Sequence, residues 1–171
     1  MANDNQAIKL LILDDSQNNA ERMVSLLRNA GHATRAHRVT SIEDLQECLQ
    51  QNWDICLAQT ETSYMTAEDA ITLIKRQSRD IPFILLKPEI DLEMRTEALR
   101  SGMTDAVPHD ADVLLTLIVD RELANLNARR QRRIVEQTLR EAEKRCQLLL
   151  DSSVDAIAYV HDGMHIYTNR A

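Results

Sequence analysis

The sequence predicts an α/β domain built on a doubly wound parallel sheet and followed by a long helical extension. One observation is the aliphatic run "IKLLILDD" from Ile8 to Asp15, which is typical of a strand buried on both faces of a parallel sheet. Another is the alternation of short apolar runs with segments whose apolar residues recur at helical spacing. The third is that neither glycine nor proline occurs between Pro108 and Gly163, which favours one long helix.

The composition predicts a globular chain with an aliphatic core. The sequence has 171 residues, of which 44% are hydrophobic and only 3% aromatic. The net charge of −7 argues against nucleic acid as a principal partner. Cys48, Cys56 and Cys146 are odd in number and lack metal-ligand spacing among themselves, which predicts reduced thiols. No signal-peptide pattern is present, and no apolar run approaches the roughly 20 residues that span a bilayer. We therefore expect a cytoplasmic protein without membrane insertion.

Helix and strand signals alternate along the first two thirds of the chain. After the first strand, Met23, Leu26, Leu27 and Ala30 recur at helical spacing, and Gly31 ends the helix. Four further strands are predicted in "ATRAHRVT", "WDICLA", "IPFILL" and "DAV", separated by the helices "SIEDLQECLQQ", "TAEDAITLIKRQ" and "DLEMRTEALRSG". This order predicts right-handed crossovers and a sheet that is complete near residue 120. Ligand chemistry is then expected at the carboxyl ends of the strands.

A single helix of roughly 60 Å is predicted from Ala111 to about Leu150. Its first part, "ADVLLTLIVDREL", is apolar almost all round, so one side is expected to pack on the sheet and another on a partner. A second stretch has the 4, 3, 4, 3 spacing of a coiled-coil seam, beyond the polar interruption "NARRQRR". We expect a parallel homodimer through this helix. The expected dimer residues are Val113, Leu117, Leu123, Leu126, Val135, Leu139, Ala142, Cys146 and Leu149.

The tail "DSSVDAIAYVHDGMHIYTNRA" contains two strand-like runs around the turn signal "HDG", which predicts a hairpin. Two strands alone do not form a stable core. We therefore expect the chain to stop inside a second domain.

The motif "LILDDSQ", the alternation of elements and the strand "PFILL" together resemble the receiver domain of two-component response regulators, over residues 7–125. The resemblance implies a flavodoxin-like five-stranded sheet. It also implies a phosphorylation site, in which two acids after the first strand hold Mg²⁺ and an aspartate after the third strand accepts a phosphoryl group. A Thr or Ser after the fourth strand and a Lys after the fifth sense that group.

Carried over position by position, Asp14 and Asp15 match the metal-binding acids. The acceptor aspartate falls on Gln59, the Thr or Ser on Lys87, and the Lys on His109, so three positions depart from the family pattern. An acyl phosphate needs a carboxylate nucleophile, which an amide does not supply. The resemblance and its departures imply a pseudo-receiver without catalysis or cofactor, whose metal site is vestigial.

The residue types leave alternatives open within this pocket. Lys87 is expected to pair with Asp14 and Asp15 and so relieve their mutual repulsion. The alternatives are that Lys87 faces solvent, that the two acids only cap the following helix, and that His109 is a loop histidine rather than a ligand.

The segment "RCQLLLDSSVDAIAYVHDGMHIYTNRA" is similar to the opening of a PAS domain. That resemblance divides the chain into a receiver-like domain at 7–125, a signalling helix at 126–150 and the start of a PAS domain at 151–171. Receivers joined in this way to PAS domains commonly continue into GGDEF and EAL domains. The pairing of "LLILDDSQNNAERMVSLLRNAG" with a receiver that lacks its acceptor aspartate is similar to FimX-type regulators of twitching motility. The residues that match the PAS motif are Ser152, Asp155, Ala156, Asp162, Gly163, Ile166 and Asn169.

The function predicted from these features is a non-phosphorylatable receiver that dimerises and relays or localises a signal within a cyclic di-GMP signalling protein. Its expected partners are a second copy, an unidentified signalling or polar-localisation protein, and the downstream domains. An alternative is that the degenerate pocket binds a small ligand or a weakly held metal. Nucleic-acid binding through Arg129, Arg130, Arg132 and Arg133 is a third candidate, which the net charge disfavours.

Overall fold

A computed structural model describes residues 7–152, 158–162 and 164–168. It confirms the predicted α/β alternation and the long C-terminal helix. The strands are β1 (Ile8–Leu13), β2 (Thr34–Arg38), β3 (Ile55–Gln59), β4 (Phe83–Lys87), β5 (Asp105–Pro108), β6 (Ala158–His161) and β7 (Met164–Thr168). The helices are α1 (Gln17–Asn29), α2 (Ile42–Cys48), α3 (Ala67–Arg76), α4 (Leu92–Arg100) and α5 (Asp112–Asp151).

The first five strands form one parallel sheet in the order β2-β1-β3-β4-β5. The chain reverses its direction of travel across the sheet after β2, so β1 and β3 are neighbours although β2 separates them in sequence. In open sheets of this kind, the carboxyl ends on either side of such a switch point form the usual ligand crevice.

Side chains of each strand alternate between two hydrophobic cores, as the period of two in a strand requires. Leu10 and Ile12 pack with α1 and α5, whereas Leu11 and Leu13 pack with α2 and α3. Both sets are almost fully buried, which explains why β1 is apolar at every position from Leu10 to Leu13 rather than at every second residue.

Polar residues immediately before the helices define where those helices begin. Ser16, Ser41, Thr66 and Asp91 each accept a hydrogen bond from the backbone N–H three residues later. Helix α4 is followed by Gly102 at φ +90°, a left-handed conformation that a side chain disfavours. These local signals lie in the sequence itself, which is why the predicted elements are found.

Helix α5 is continuous over 40 residues, as predicted. One side of its first part is buried in the core through Leu115, Ile118 and Val119, whereas Val113 is 76% exposed and Leu117 60% exposed. The first part of α5 therefore keeps an uncovered apolar face in the single chain.

Two of the residues expected at the dimer surface of α5 face the core to different degrees. Leu126 is fully buried within the single chain, and Leu123 is partly buried against the core. Leu126 therefore does not belong to a surface that a second copy can reach.

Contacts divide the chain into two compact units, Met1–Leu126 and Asn127–Ala171. In the second unit β6 and β7 pair antiparallel, which confirms the predicted hairpin. Of the residues matched to the PAS motif, Asp155, Ala156, Gly163 and Asn169 lie outside the described residues. None of the described helices has the length and apolar character needed to cross a membrane.

Candidate functional site at the carboxyl ends of the strands

The topology gathers the predicted pocket residues at one edge of the sheet. Asp14 and Asp15 follow β1, Gln59 ends β3, Lys87 ends β4 and His109 follows β5. Because all these strands are parallel, their carboxyl ends meet on the same side.

Asp14 is the buried acid of this pocket, with only 3% of its surface exposed. The side-chain amide of Gln59 donates a hydrogen bond of 2.8 Å from Nε2 to Asp14 Oδ2. The backbone N–H of Ser16 donates another, of 2.7 Å, to Asp14 Oδ1. Both carboxylate oxygens thus have a donor, as a buried polar group requires.

Asp15 is exposed and faces the loop after β3. Its carboxylate accepts hydrogen bonds from the backbone N–H of Ser63 at 2.7 Å and from Ser63 Oγ at 2.9 Å. The two neighbouring acids therefore have separate sets of donors. Neither caps α1, since the side chain of Ser16 accepts from Asn19 N–H at the start of that helix.

The expected ion pair between Lys87 and the two acids is not present. Among the residues that the structure describes, no ion pair of Lys87 is found. The reason is the strand order, because β3 lies between β1 and β4 and places Gln59 rather than Lys87 next to Asp14. Lys87 instead lines a cavity of about 250 Å³ between α3 and α4, together with Glu61, Glu68 and Glu97.

His109 lies at the other side of the pocket, after β5. Its backbone N–H donates to the carbonyl of Lys87 at 2.8 Å, and its own carbonyl accepts from the guanidinium of Arg22. Arg22 also forms a 3.0 Å ion pair with Asp112 at the start of α5. His109 Nε2 is buried and has no hydrogen-bond partner within the described part of the chain. The backbone contacts, rather than the ring, connect this residue to its neighbours.

A charge cluster that the sequence analysis missed joins α4, β5 and α5. Asp105, only 3% exposed, accepts hydrogen bonds from Arg95 Nε at 2.8 Å, from a second nitrogen of Arg95 at 3.0 Å and from Arg121 at 3.0 Å. Burial alone would raise the pKa of Asp105, but the hydrogen bonds from Arg95, from the backbone N–H of Ala106 and from Arg121 outweigh burial and lower it. The sequence signal that could have revealed this cluster is Asp105 itself, an acid at the start of the otherwise apolar strand "DAV".

The arrangement at the strand ends limits the chemistry that the pocket can perform. Asp14 and Asp15 are the acids that directly follow β1, and the end of β3, between them and β4, holds a neutral amide. Mg²⁺ sites depend on carboxylates, and a phosphoryl acceptor has to be a nucleophile. Gln59 supplies neither a third carboxylate nor an acid nucleophile at the end of β3.

Comparisons with known proteins agree with the fold. No family model matches the chain. The phosphoglycerate transport system transcriptional regulatory protein PgtA of Salmonella typhimurium is 27% identical over 140 residues, which are 79% of this chain and 33% of that protein. The chain thus spans about a third of that relative's length.

Solved receiver domains superpose on the chain. The signal receiver domain of an HD domain-containing protein from Pseudomonas fluorescens has a TM-score of 0.64 at 19% identity and covers 77% of this chain and 98% of its own. The signal receiver domain of a histidine kinase from Syntrophus aciditrophicus has a TM-score of 0.59 at 25% identity and covers 70% of this chain and 92% of its own. The chain therefore has the flavodoxin-like fold of receiver domains, extended by the long helix α5.

Proposed function

We propose that residues 7–125 are a receiver module that relays or localises a signal without being phosphorylated. The observation that carries the proposal is the 2.8 Å hydrogen bond from Gln59 Nε2 to Asp14 Oδ2. The amide of Gln59 at the end of β3 is neutral, and its hydrogen bond occupies the carboxylate oxygen of Asp14 that a bound cation would need. The module keeps one state because its buried acid is satisfied internally.

The signal is proposed to pass through α5 as a homodimer. Val135, Leu139 and Leu149 are 63%, 58% and 67% exposed, and they keep the coiled-coil spacing predicted from the sequence. Large apolar side chains in such a row favour burial against a second helix. A parallel pair would bring two C-terminal segments side by side, as paired downstream PAS domains need. We also propose that the module belongs to a cyclic di-GMP signalling protein.

The proposal is tested by exposing the protein to acetyl phosphate with Mg²⁺ and measuring its intact mass. We expect no adduct, whereas the variant Gln59→Asp, which regains an acceptor carboxylate, serves as the matched control and should gain roughly 80 Da, the mass of one phosphoryl group. A stable adduct on Asp14 or Asp15 of the parent chain would disprove the proposal.

A second candidate function is supported by the cavity that Lys87 lines. Its volume of about 250 Å³ and the mixed charges of Lys87, Glu61, Glu68 and Glu97 suit a small polar ligand. Calorimetric titration with nucleotides, compared between the parent chain and Lys87→Met, tests this candidate. Binding that Lys87→Met abolishes would favour the ligand-switch function over the fixed receiver.

A further inference from the structure

Three potential metal ligands come together at the edge strand β2, away from the strand ends. His37 lies on β2, and Asp44 and Cys48 lie four residues apart on the same side of α2. His37 Nε2 is 2.9 Å from Asp44 Oδ1, and Cys48 Sγ is 3.5 Å from the same oxygen. All three ligand atoms lie within 4.8 Å of one another.

We infer that His37, Asp44 and Cys48 bind a divalent transition-metal ion of the Zn²⁺ type, with water as the fourth ligand. An imidazole nitrogen, a carboxylate oxygen and a thiolate sulfur are the ligands that this ion takes in tetrahedral sites. Mg²⁺ and Ca²⁺ prefer oxygen ligands alone, so the mixed set favours a softer metal.

Two of the three ligand–ligand distances suit tetrahedral coordination after a small adjustment, and the third, between His37 Nε2 and Cys48 Sγ, is within 4.8 Å. Metal–ligand bonds of 2.0–2.3 Å place the ligand atoms roughly 3.3–3.8 Å apart. The 3.5 Å between Cys48 Sγ and Asp44 Oδ1 already lies in that range. The 2.9 Å between His37 Nε2 and Asp44 Oδ1 would widen by roughly 0.4 Å, which the half-exposed ring of His37 can accommodate.

The second oxygen of Asp44 has partners of its own that orient the carboxylate. Thr40 N–H donates to Asp44 Oδ2 at 2.9 Å, and the hydroxyl of Thr40 lies 3.2 Å from it. Outer contacts of this kind hold a ligand in position for a metal. Oδ1 faces Cys48 Sγ, and His37 Nε2 lies 2.9 Å from Oδ1 and 3.2 Å from Oδ2.

The site is open on one side and protected on the other. The side chains of His37 and Asp44 are 43% and 23% exposed, whereas Cys48 is buried. An ion and its water can therefore approach from the His37 side. On binding, the thiol proton of Cys48 leaves to the solvent, and the metal replaces the hydrogen bond between His37 and Asp44 with one bond to each.

The competing explanation is a metal-free hydrogen-bonded cluster that supports the start of α2. It needs Asp44 and His37 but gives the thiol no role as a ligand. Titration of the reduced, tag-free full chain with Co²⁺ separates the two, because a thiolate bound to Co²⁺ produces a charge-transfer absorption that an imidazole or carboxylate does not.

We expect one Co²⁺ per chain, a thiolate charge-transfer band and loss of that band when Zn²⁺ is added. Trp53 provides a second signal, since its ring lies 6.1 Å from that of His37 and it is the only tryptophan of the sequence. Its fluorescence should change with the same titration curve. His37→Gln and Cys48→Ser should each weaken binding by at least about tenfold, the lower end of what loss of an outer-shell partner alone costs.

The matched controls carry the same substitutions at other places. Cys146→Ser removes an exposed thiol, and His161→Gln with His165→Gln removes the hairpin imidazoles. Both controls should leave the affinity unchanged. Absence of a charge-transfer band in excess Co²⁺, or a band that persists in Cys48→Ser, would overturn the inference. Should Cys48→Ser not fold, His37→Gln decides, since its half-exposed side chain can change without disturbing the core.

Discussion

At the scale of single residues, Gln59 explains how a buried acid is tolerated in this pocket. A carboxylate that is 3% exposed has to be satisfied by donors, because water no longer supplies them. Gln59 Nε2 and Ser16 N–H provide those donors to Asp14. The amide thus stabilises the acid without changing the charge of the pocket.

Replacement of Gln59 by Leu should lower the free energy of unfolding by about 1–3 kcal/mol, because Asp14 loses a donor and stays buried. The matched variant Lys87→Met should change it by less than about 0.5 kcal/mol, since Lys87 forms no ion pair in the described structure. Urea unfolding at neutral pH measures both. If Lys87→Met lowered the free energy of unfolding more than Gln59→Leu, the ion pair of Lys87 with Asp14 and Asp15 that the sequence predicted would be supported instead.

The Asp105 cluster predicts a loss of stability in acid. The pKa of Asp105 is lower in the folded chain than its ordinary value of 3.8, so the unfolded chain takes up the proton first as the pH falls. The contribution of Asp105 is therefore complete above pH 3.8 and is lost as the pH drops through the lowered value. At neutral pH, Asp105→Asn should cost about 1–3 kcal/mol.

Unfolding experiments on the parent chain and Asp105→Asn across this pH range measure the effect. The difference in stability between the two should shrink as the pH falls below 3.8. A difference that stays constant with pH would mean that Asp105 acts through packing rather than through its charge.

At the scale of elements, α5 serves two purposes with different faces. Leu115, Ile118 and Val119 complete the core of the first unit, while Val113 and Leu117 remain exposed. Further along, the exposed row that begins at Val135 has no cover within the described chain. A helix with one satisfied face and one uncovered face favours association through the latter.

The double variant Leu139→Asp with Leu149→Asp should convert the proposed dimer to a monomer, because charges would enter the helix–helix seam. Gln137→Asp with Gln147→Asp adds the same charges beside the seam and should leave the dimer intact. Light scattering at tens of micromolar protein reports the mass of each. A dimer in both variants would move the interface away from this part of α5.

At the scale of the whole molecule, the two compact units predict that the first one folds alone. Met1–Leu126 contains the complete sheet, both cores and every buried residue of α5. A chain ending at Leu126 should therefore unfold cooperatively, as small single domains usually do. Thermal unfolding followed by circular dichroism measures this.

The same truncated chain should dimerise more weakly than the full chain, because it lacks the seam from Val135 onward. Equal dimerisation of the two would place the interface in the first unit, with Val113 and Leu117 as its apolar residues. Failure to fold would contradict the division at Leu126.

Predictions from local patterns were correct where the signal was local. The aliphatic runs, the residues before each helix and Gly102 after α4 are short-range features, so the elements follow from them. The predicted ion pair of Lys87 with Asp14 and Asp15 was wrong, because strand order decides which side chains are neighbours across the sheet. The His37 cluster was missed since its residues occupy two elements and have ordinary spacing along the chain.

By itself, the sequence determined the elements, the parallel sheet, the continuity of α5 and the identity of the residues at the strand ends. Periodicity and capping carry this information because they act between residues close in the chain. Only the tertiary structure decided that Gln59 satisfies Asp14, that Lys87 lines a separate cavity, that Asp105 joins three elements and that His37 meets Cys48. Such contacts depend on which strand and helix lie beside each other, and packing of the whole core sets that arrangement.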